Sequence, residues 1–303
     1  MPCYSPLHGY KARKVTHLGK RQFVFSRKNG YSDLAFTVPC GQCIGCRIDR
    51  SRHWALRCVH EAKMHSASCF VTLTYDDDHL PKGGTLVKSD LQKFFKRLRK
   101  LYPFRYYAAG EYGDEGQRPH YHAILFGINF FDDRKIHTKK KTGTLFTSET
   151  LTKTWGLGHC LIADFSYSTA AYTARYIMKK QVGKNGHEAP QYERLDPSTG
   201  EIGFALPEFA LMSLKPGLGS GWYDKYHKDA FPSDFLVHQG KKHPVPRFYY
   251  QKLKISNPEL HRKIQLKRIE KRDETKDNST TERLRTREVV KKSQLSNLQR
   301  NLK

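Results

Sequence analysis

Two histidines one residue apart, His120 and His122 in Arg118-Pro119-His120-Tyr121-His122, lead into the apolar run Ala123-Ile124-Leu125-Phe126. If that run is a β-strand, side chains two apart leave the same face, and two imidazoles so placed can share one divalent cation. Glu111 is the candidate third ligand, because it ends the preceding strand and can lie beside both histidines across a hairpin. Histidines on a strand are commonly polar surface, but these enter an otherwise apolar strand, where imidazoles need a partner. A second group is Tyr172-x-x-x-Tyr176-x-x-Lys179. On a helix the two phenols stand one turn apart on one face, and Lys179 falls on that face too. An aromatic pair at this spacing is more often core packing than catalysis. A phenol is a poor nucleophile at neutral pH because its pKa is about 10, yet a nearby cation favours the phenolate. Cation site and phenol pair together would open a polarised phosphodiester to in-line attack.

A third group is Cys40, Cys43 and Cys46, which repeat the C-x-x-C spacing, with Cys3 as a fourth thiol. Four tetrahedral thiolates suit structural zinc, which would pin the N-terminal arm; reduced, partly buried thiols are the alternative. An iron–sulfur cluster is disfavoured, with no redox partner in view. Cys58, Cys69 and Cys160 read as core positions.

These groups need elements to hold them. Ile48, Ala55, Leu56, Val59 and Ala62 recur at helical spacing, predicting a helix from Ile48 to His65. Cys69 to Tyr75 reads as a buried strand ended by three aspartates. A helix follows with Ser89 as N-cap and Leu91, Phe94, Phe95, Leu98 and Leu101 as its apolar face. Phe104 to Ala109 and Pro119 to Phe126 predict two strands joined by a Gly-rich turn over Gly110 to Gly116, and Ser168 to Lys180 predicts the tyrosine helix. Residues 132–149 and 183–203 read as surface loops. The order strand, helix, strand, strand, helix suits an α+β protein with a central antiparallel sheet flanked by helices.

The 303 residues carry 54 Lys and Arg against 29 Asp and Glu, a formal charge of +25, with 38% hydrophobic and 12% aromatic residues. Such a chain folds and attracts polyanions. No apolar run approaches the roughly 18 to 20 residues of a membrane span, and no secretory signal is visible, so a reducing interior is expected. Residues 251–303 hold 16 Lys or Arg against 7 Asp or Glu, a basic tail with an apolar stripe too thin for its own core. The expected organisation is an N-terminal arm with the cysteines and a basic helix over 1–66, a core carrying the histidine and tyrosine groups over 67–250, and a basic, partly helical or disordered tail over 251–303. Phosphate contacts are expected from Arg47, Arg50, Arg52 and Arg57, from the basic face of the helix from Ser89 to Leu101, and from Lys139 to Lys141. Tyr106, Tyr107, Trp155 and Trp222 are candidates for base stacking, although most such rings are core. Glycines in Lys215 to Trp222 would allow close backbone approach to phosphate.

The strand Phe70-Val71-Thr72-Leu73-Thr74-Tyr75, the Arg118 to His122 motif and the tyrosine helix, in this order, resemble the HUH-type replication initiators of small circular single-stranded DNA phages, especially microviruses of the gokushovirus type. The resemblance covers most of residues 1–250. It implies an HUH endonuclease fold and a rolling-circle nickase and ligase, with His120 and His122 binding Mg²⁺ or Mn²⁺ and a tyrosine forming a 5′-phosphotyrosine and a free 3′-hydroxyl. Lys179 would stabilise phosphoryl charge. Glu111 is the ligand that varies most in such proteins. Implied partners are single-stranded DNA at the replication origin and a host helicase and polymerase, in the cytoplasm of a bacterial host. No phosphate-loop motif for a helicase is visible. Rival readings are an HUH transposase or relaxase, against which the tyrosine pair argues, and a non-catalytic, zinc-stabilised single-stranded DNA-binding protein. A histidine-triad phosphohydrolase would want a histidine where Ile124 stands.

Overall fold

A computed structural model of the chain describes residues 3–113, 116–140, 143–176, 188–195, 199–274 and 276–297. In chain order, three strands come first, β1 (Leu7–Val15), β2 (Arg21–Val24) and β3 (Gly30–Val38), then helix α1 (Ile44–Ala62). Next come β4 (Ser68–Thr74), α2 (Lys88–Leu98), β5 (Arg105–Tyr112), β6 (Pro119–Phe126), β7 (Arg134–Lys140), β8 (Gly143–Ser148), α3 (Glu149–Trp155), β9 (Cys160–Asp164) and α4 (Tyr167–Tyr176). The remainder is β10 (Glu193–Leu195), β11 (Ile202–Phe204), β12 (Phe209–Met212), α5 (Ser220–Tyr226), β13 (Phe235–His238), β14 (Lys241–Pro244), α6 (Arg247–Ser256), α7 (Pro258–Glu274) and α8 (Thr281–Ser296).

The chain divides into two compact units, residues 50–265 and residues 1–49 with 266–301. The larger is built on a seven-stranded sheet in the order β12-β5-β6-β4-β9-β8-β7, every neighbouring pair antiparallel. Alternation along its strands makes two apolar faces. Val71, Leu73, Ala108, Tyr121, Ala123 and Leu125 face α2 and α3, where Leu91, Phe94, Phe95, Leu98, Leu151 and Trp155 close one core. Phe70, Tyr107, Ile124 and Phe126 face the other way, onto Ala55 and Cys58 of α1 and Ala170 and Ala174 of α4. This is the α+β sheet flanked by helices that an HUH endonuclease fold requires.

The smaller unit carries the three-stranded antiparallel sheet β2-β1-β3, the first turn of α1, the end of α7 and all of α8. The basic tail is thus helical over α7 and α8, with His261, Ile264 and Leu284 buried.

Several local expectations are corrected. Within 132–149, Arg134–Lys140 and Gly143–Ser148 form β7 and β8 at the sheet edge rather than a loop, and Glu193–Leu195 and Ile202–Phe204 form the short pair β10 and β11. Ser89 is not the cap of α2, which starts at Lys88 with Val87 in the cap position and no side-chain cap bond. Leu101 lies past the helix end and is 57% exposed. Gly110 sits within β5, where a Cβ would come within 3.0 Å of Leu86 and Phe209, so its small size serves close packing rather than a turn. No helix among the described residues is long and apolar enough to cross a membrane.

Candidate functional site

The pairing of β5, β6 and β4 sets the site. Glu111 pairs with His120, Ala109 with His122, and on the other side Thr72 pairs with His122 and Thr74 with His120. Directly opposed residues share a face, so Glu111, His120, His122 and Thr72 all project to the α4 side. His120 Nε2 lies 2.6 Å and His122 Nε2 3.2 Å from the same oxygen, Glu111 Oε1. Glu111 Oε2 is buried with no hydrogen-bond partner among the described residues. Burial pushes the Glu111 carboxyl up, but the hydrogen bonds from His120 and His122, and their charge, outweigh it and hold the group below its ordinary value. Glu111 and His122 are buried, while His120 is partly open, so the site is reached from the His120 side.

Outer contacts aim both rings. His120 Nδ1 is 3.2 Å from the Arg118 carbonyl, which can only accept, so Nδ1 carries a proton there. His122 Nδ1 is 3.1 Å from Thr72 Oγ1. Both Nε2 atoms therefore point inward at one carboxylate, the arrangement that orients imidazoles as ligands. The three donor atoms lie within 4.8 Å of one another, and two imidazole nitrogens with a carboxylate whose second oxygen is unsatisfied form a donor set that fits a divalent cation.

Helix α4 brings Tyr172 to this group. Its ring centroid is 5.2 Å from that of His122, edge-on, and 6.2 Å from Phe70, which itself stacks on His122 at 5.2 Å. Close seating of α4 follows from its small buried residues Ala170, Thr173 and Ala174, with Ser166 and Thr169 exchanging hydrogen bonds at its start. Ser51 of α1 donates to the Ala171 carbonyl at 3.2 Å. Tyr176 follows one turn later on the α4 backbone; its side chain, and Lys179, lie outside the described residues. Arg175 holds its guanidinium 5.9 Å from the centre of the Tyr172 ring. Sequence reasoning assigned no site role to Thr72, Phe70 or Arg175, although the alternation Phe70, Thr72, Thr74 along β4 already put the first two on the histidine face.

Other expected contacts fall elsewhere. Helix α2 covers the opposite sheet face from the histidines, and its Arg97 donates to the carbonyls of Thr154 and Trp155 at 2.8 Å. Arg57 lies between Trp54 and Phe248, 4.1 and 4.0 Å from their ring centres, and donates to the Leu218 carbonyl, so it is packed inside the protein rather than offered to phosphate. Tyr107, Trp155 and Trp222 are buried and cannot stack on bases, whereas Tyr106 is half-buried. Gly219, at φ +80°, donates its N–H to Glu61 Oε2 at 2.6 Å, and a Cβ there would come 2.3 Å from the Tyr249 hydroxyl. Glycine at this position serves internal packing.

In the smaller unit the four thiols of Cys3, Cys40, Cys43 and Cys46 also lie within 4.8 Å of one another. Backbone N–H groups point at them: Cys40 to Cys3 Sγ at 3.3 Å, Cys43 to Cys40 Sγ at 3.2 Å, Gln42 to Cys40 Sγ at 3.4 Å and Tyr4 to Cys43 Sγ at 3.3 Å. Gly41, at φ +77°, makes the turn between Cys40 and Cys43. Burial pushes the Cys43 thiol up, but the N–H groups of Cys46 and Tyr4 and the neighbouring thiols outweigh it and lower it to about 7. Cys58, Cys69 and Cys160 are buried single thiols, as expected.

The chain is similar to known proteins over most of its length. A family model described as "Replication-associated protein ORF2/G2P" matches residues 68–181. Replication-associated protein VP4 of Bdellovibrio phage phiMH2K is 31% identical over 265 residues, covering 84% of this chain and 79% of the relative. Replication-associated protein ORF2 of Spiroplasma virus 4 is 37% identical over 177 residues, 54% of this chain and 55% of the relative. Replication-associated protein ORF4 of Chlamydia phage 1 is 26% identical over 236 residues, 73% of this chain and 55% of the relative. No solved structure matches the chain.

Proposed function

Because this chain belongs to the family of replication-associated proteins of small phages, we propose that it initiates rolling-circle replication by nicking and rejoining single-stranded DNA at the phage origin. The observation that carries the proposal is the convergence of His120, His122 and Glu111 beside Tyr172. His120, His122 and Glu111 would hold Mg²⁺ or Mn²⁺. When bound, such a cation draws charge from a non-bridging phosphate oxygen.

The protein's own groups then do the following. Tyr172 or Tyr176 attacks phosphorus through its phenolic oxygen, losing its proton, as the bond from phosphorus to the 3′ oxygen breaks and that oxygen takes up a proton. The products are a 5′-phosphotyrosine and a free 3′-hydroxyl that can prime a host polymerase. Because one phosphoester replaces another, rejoining needs no ATP. Supporting Tyr172 as a nucleophile are its ring beside His122 and the Arg175 guanidinium near that ring. Tyr176, one turn on, would attack the regenerated origin, and Lys179 would stabilise phosphoryl charge. Unwinding would come from a host helicase in the bacterial cytoplasm. The test is a labelled origin oligonucleotide incubated with Mn²⁺ or EDTA: a covalent adduct that needs metal and His122 supports the reading. Origin binding with no adduct in any metal overturns it in favour of a binding module.

Two further expectations attach to the metal groups. Thr72→Val removes the hydroxyl that orients His122 while keeping a β-branched strand residue, and Mn²⁺ affinity by calorimetry should fall about 10- to 100-fold, the usual effect of losing an outer partner of a ligating histidine. Cys3, Cys40, Cys43 and Cys46 would hold a structural Zn²⁺. Tetrahedral zinc with bonds of about 2.3 Å spaces its sulfurs about 3.8 Å apart, within the span of these thiols, and Cys43 is already inclined to the thiolate. Purified protein should carry one zinc per chain, and Co²⁺ exchange should give the visible absorption of a tetrathiolate site. Cys43→Ser should lose both, and zinc-free wild type with unchanged folding would refute the assignment.

A further inference from the structure

Beyond the nicking site, the smaller unit carries a groove of about 390 Å³ between Tyr4 and one face of α8, lined by Arg283, Thr286, Arg287, Val290, Lys291 and Gln294. The helical positions run i, i+3, i+4, i+7, i+8 and i+11, a single stripe, with a cation on each of three successive turns. At 1.5 Å per residue, Arg283, Arg287 and Lys291 are spaced about 6 Å apart along the helix. Their hydrogen-bond partners are neutral: Arg283 meets Asn278 Oδ1, Arg287 the Asn278 carbonyl and Lys291 the Gln294 side chain. Among the described residues the lining holds no carboxylate. Glu282 and Glu288 of α8 lie outside that lining; Glu288 pairs with Lys292 at 3.5 Å, and its charge and that of Asp49 reach Tyr4. Tyr4 forms the opposite wall and is held there by its N–H on Cys43 Sγ. Thr280 caps α8 by accepting from the Arg283 N–H, so the stripe stands on a helix with a defined start.

We infer that this groove is a second nucleic-acid-binding surface, in which Arg283, Arg287 and Lys291 track the phosphates of a single DNA strand. Charge complementarity selects the occupant: a row of three cations at regular rise, with no acid among the described lining residues, matches a chain of repeating phosphodiesters. Recognition through this groove is independent of base sequence, because nothing in its lining is set to read base edges beyond the hydroxyls of Tyr4 and Thr286 and the Gln294 amide. The role goes beyond the proposed nicking reaction and would keep the displaced strand attached between cleavage and joining.

The test uses full-length, metal-replete protein and labelled oligothymidylate, which carries no origin, with anisotropy read across a salt series. In the variant Arg283→Gln/Arg287→Gln/Lys291→Gln three phosphate contacts are lost. Each releases about 0.7 counterion on a single strand, so affinity should fall about 100-fold at 0.1 M salt and the log–log salt slope should become shallower by about 2. The charge-preserving variant Arg283→Lys/Arg287→Lys should retain the wild-type slope. Unchanged affinity and slope in the glutamine variant overturn the inference, as does equal loss in the lysine variant, which would mean that packing rather than charge is responsible. Tight binding of polyglutamate that oligothymidylate does not displace also overturns it, in favour of an acidic protein partner. Oligothymidylate affinity reads the groove whether or not an origin adduct forms, so the groove and the nicking reading can fail separately.

Discussion

Tyr172→Phe/Tyr176→Phe is expected to abolish the covalent DNA adduct, with cleavage falling on the order of 10³-fold or more, the scale of loss when a nucleophile is deleted and the rest of a site is left standing. Phenylalanine keeps the ring that meets His122 at 5.2 Å and Phe70 at 6.2 Å, so the fold and the metal ligands should be undisturbed, and only the attacking oxygens disappear. Mn²⁺ affinity should therefore equal that of wild type. The single variants divide the labour: Tyr172→Phe should lose the first adduct, because Tyr172 is the phenol seated against the histidine, whereas Tyr176→Phe should still cleave but fail to join the regenerated origin. Denaturing gels with a labelled origin oligonucleotide read each outcome. Full adduct yield from the double variant would remove both tyrosines from the mechanism and leave the metal group without its proposed nucleophile.

The histidine strand was legible in the sequence to its last residue, because Pro119 marks its start and an unbroken apolar run carries it to Phe126. Glu111 followed from hairpin arithmetic alone, and the register places it opposite His120. What failed was local reasoning where tertiary contacts decide. Helix α2 starts at Lys88 rather than after a Ser89 cap because the Tyr121 hydroxyl both accepts from the Val87 N–H and donates to its carbonyl, a partner 34 residues away that no local motif announces. Residues 132–149 looked like a loop because they are rich in lysine and threonine; at the edge of a sheet that composition keeps an exposed strand from pairing with other chains. The Gly110 turn was misjudged for a similar reason, since the absence of a side chain there makes room for Phe209 on the neighbouring strand. Thr72 lay in a strand singled out as buried and as part of the family resemblance, with no role given to the threonine itself. Its use depends on His122 lying directly across, which is a property of register and not of composition.

The largest stability effect is expected at Glu61, a residue with no part in the chemistry. Its carboxylate, buried on α1, accepts from Arg105 of β5, from His65 and from the Gly219 N–H at 2.6 Å, tying helix, sheet and the 215–222 segment together. Leu218 in that segment shares a core cluster with Ala170 and Ala174, so the tie reaches the helix that presents Tyr172. Glu61→Ala leaves the buried Gly219 N–H without its acceptor and the Arg105 guanidinium with the Pro216 carbonyl but no counter-charge, and should cost about 3–5 kcal/mol, the range for breaking a buried pair from one side. Urea denaturation checks this, and a loss below about 1 kcal/mol would show that the carboxylate is dispensable. The pH dependence has a definite sign. Burial raises the Glu61 carboxyl, but the bonds from His65, Gly219 and Arg105 outweigh it and hold the folded-state value below the ordinary one. The unfolded chain therefore binds this proton more readily, so the contribution is fully present above the unfolded value of about 4.3 and is lost as pH falls through the lower folded value. Wild type should lose stability in acid more steeply than Glu61→Gln, which has no carboxylate to protonate, and the two denaturation curves should converge as pH drops.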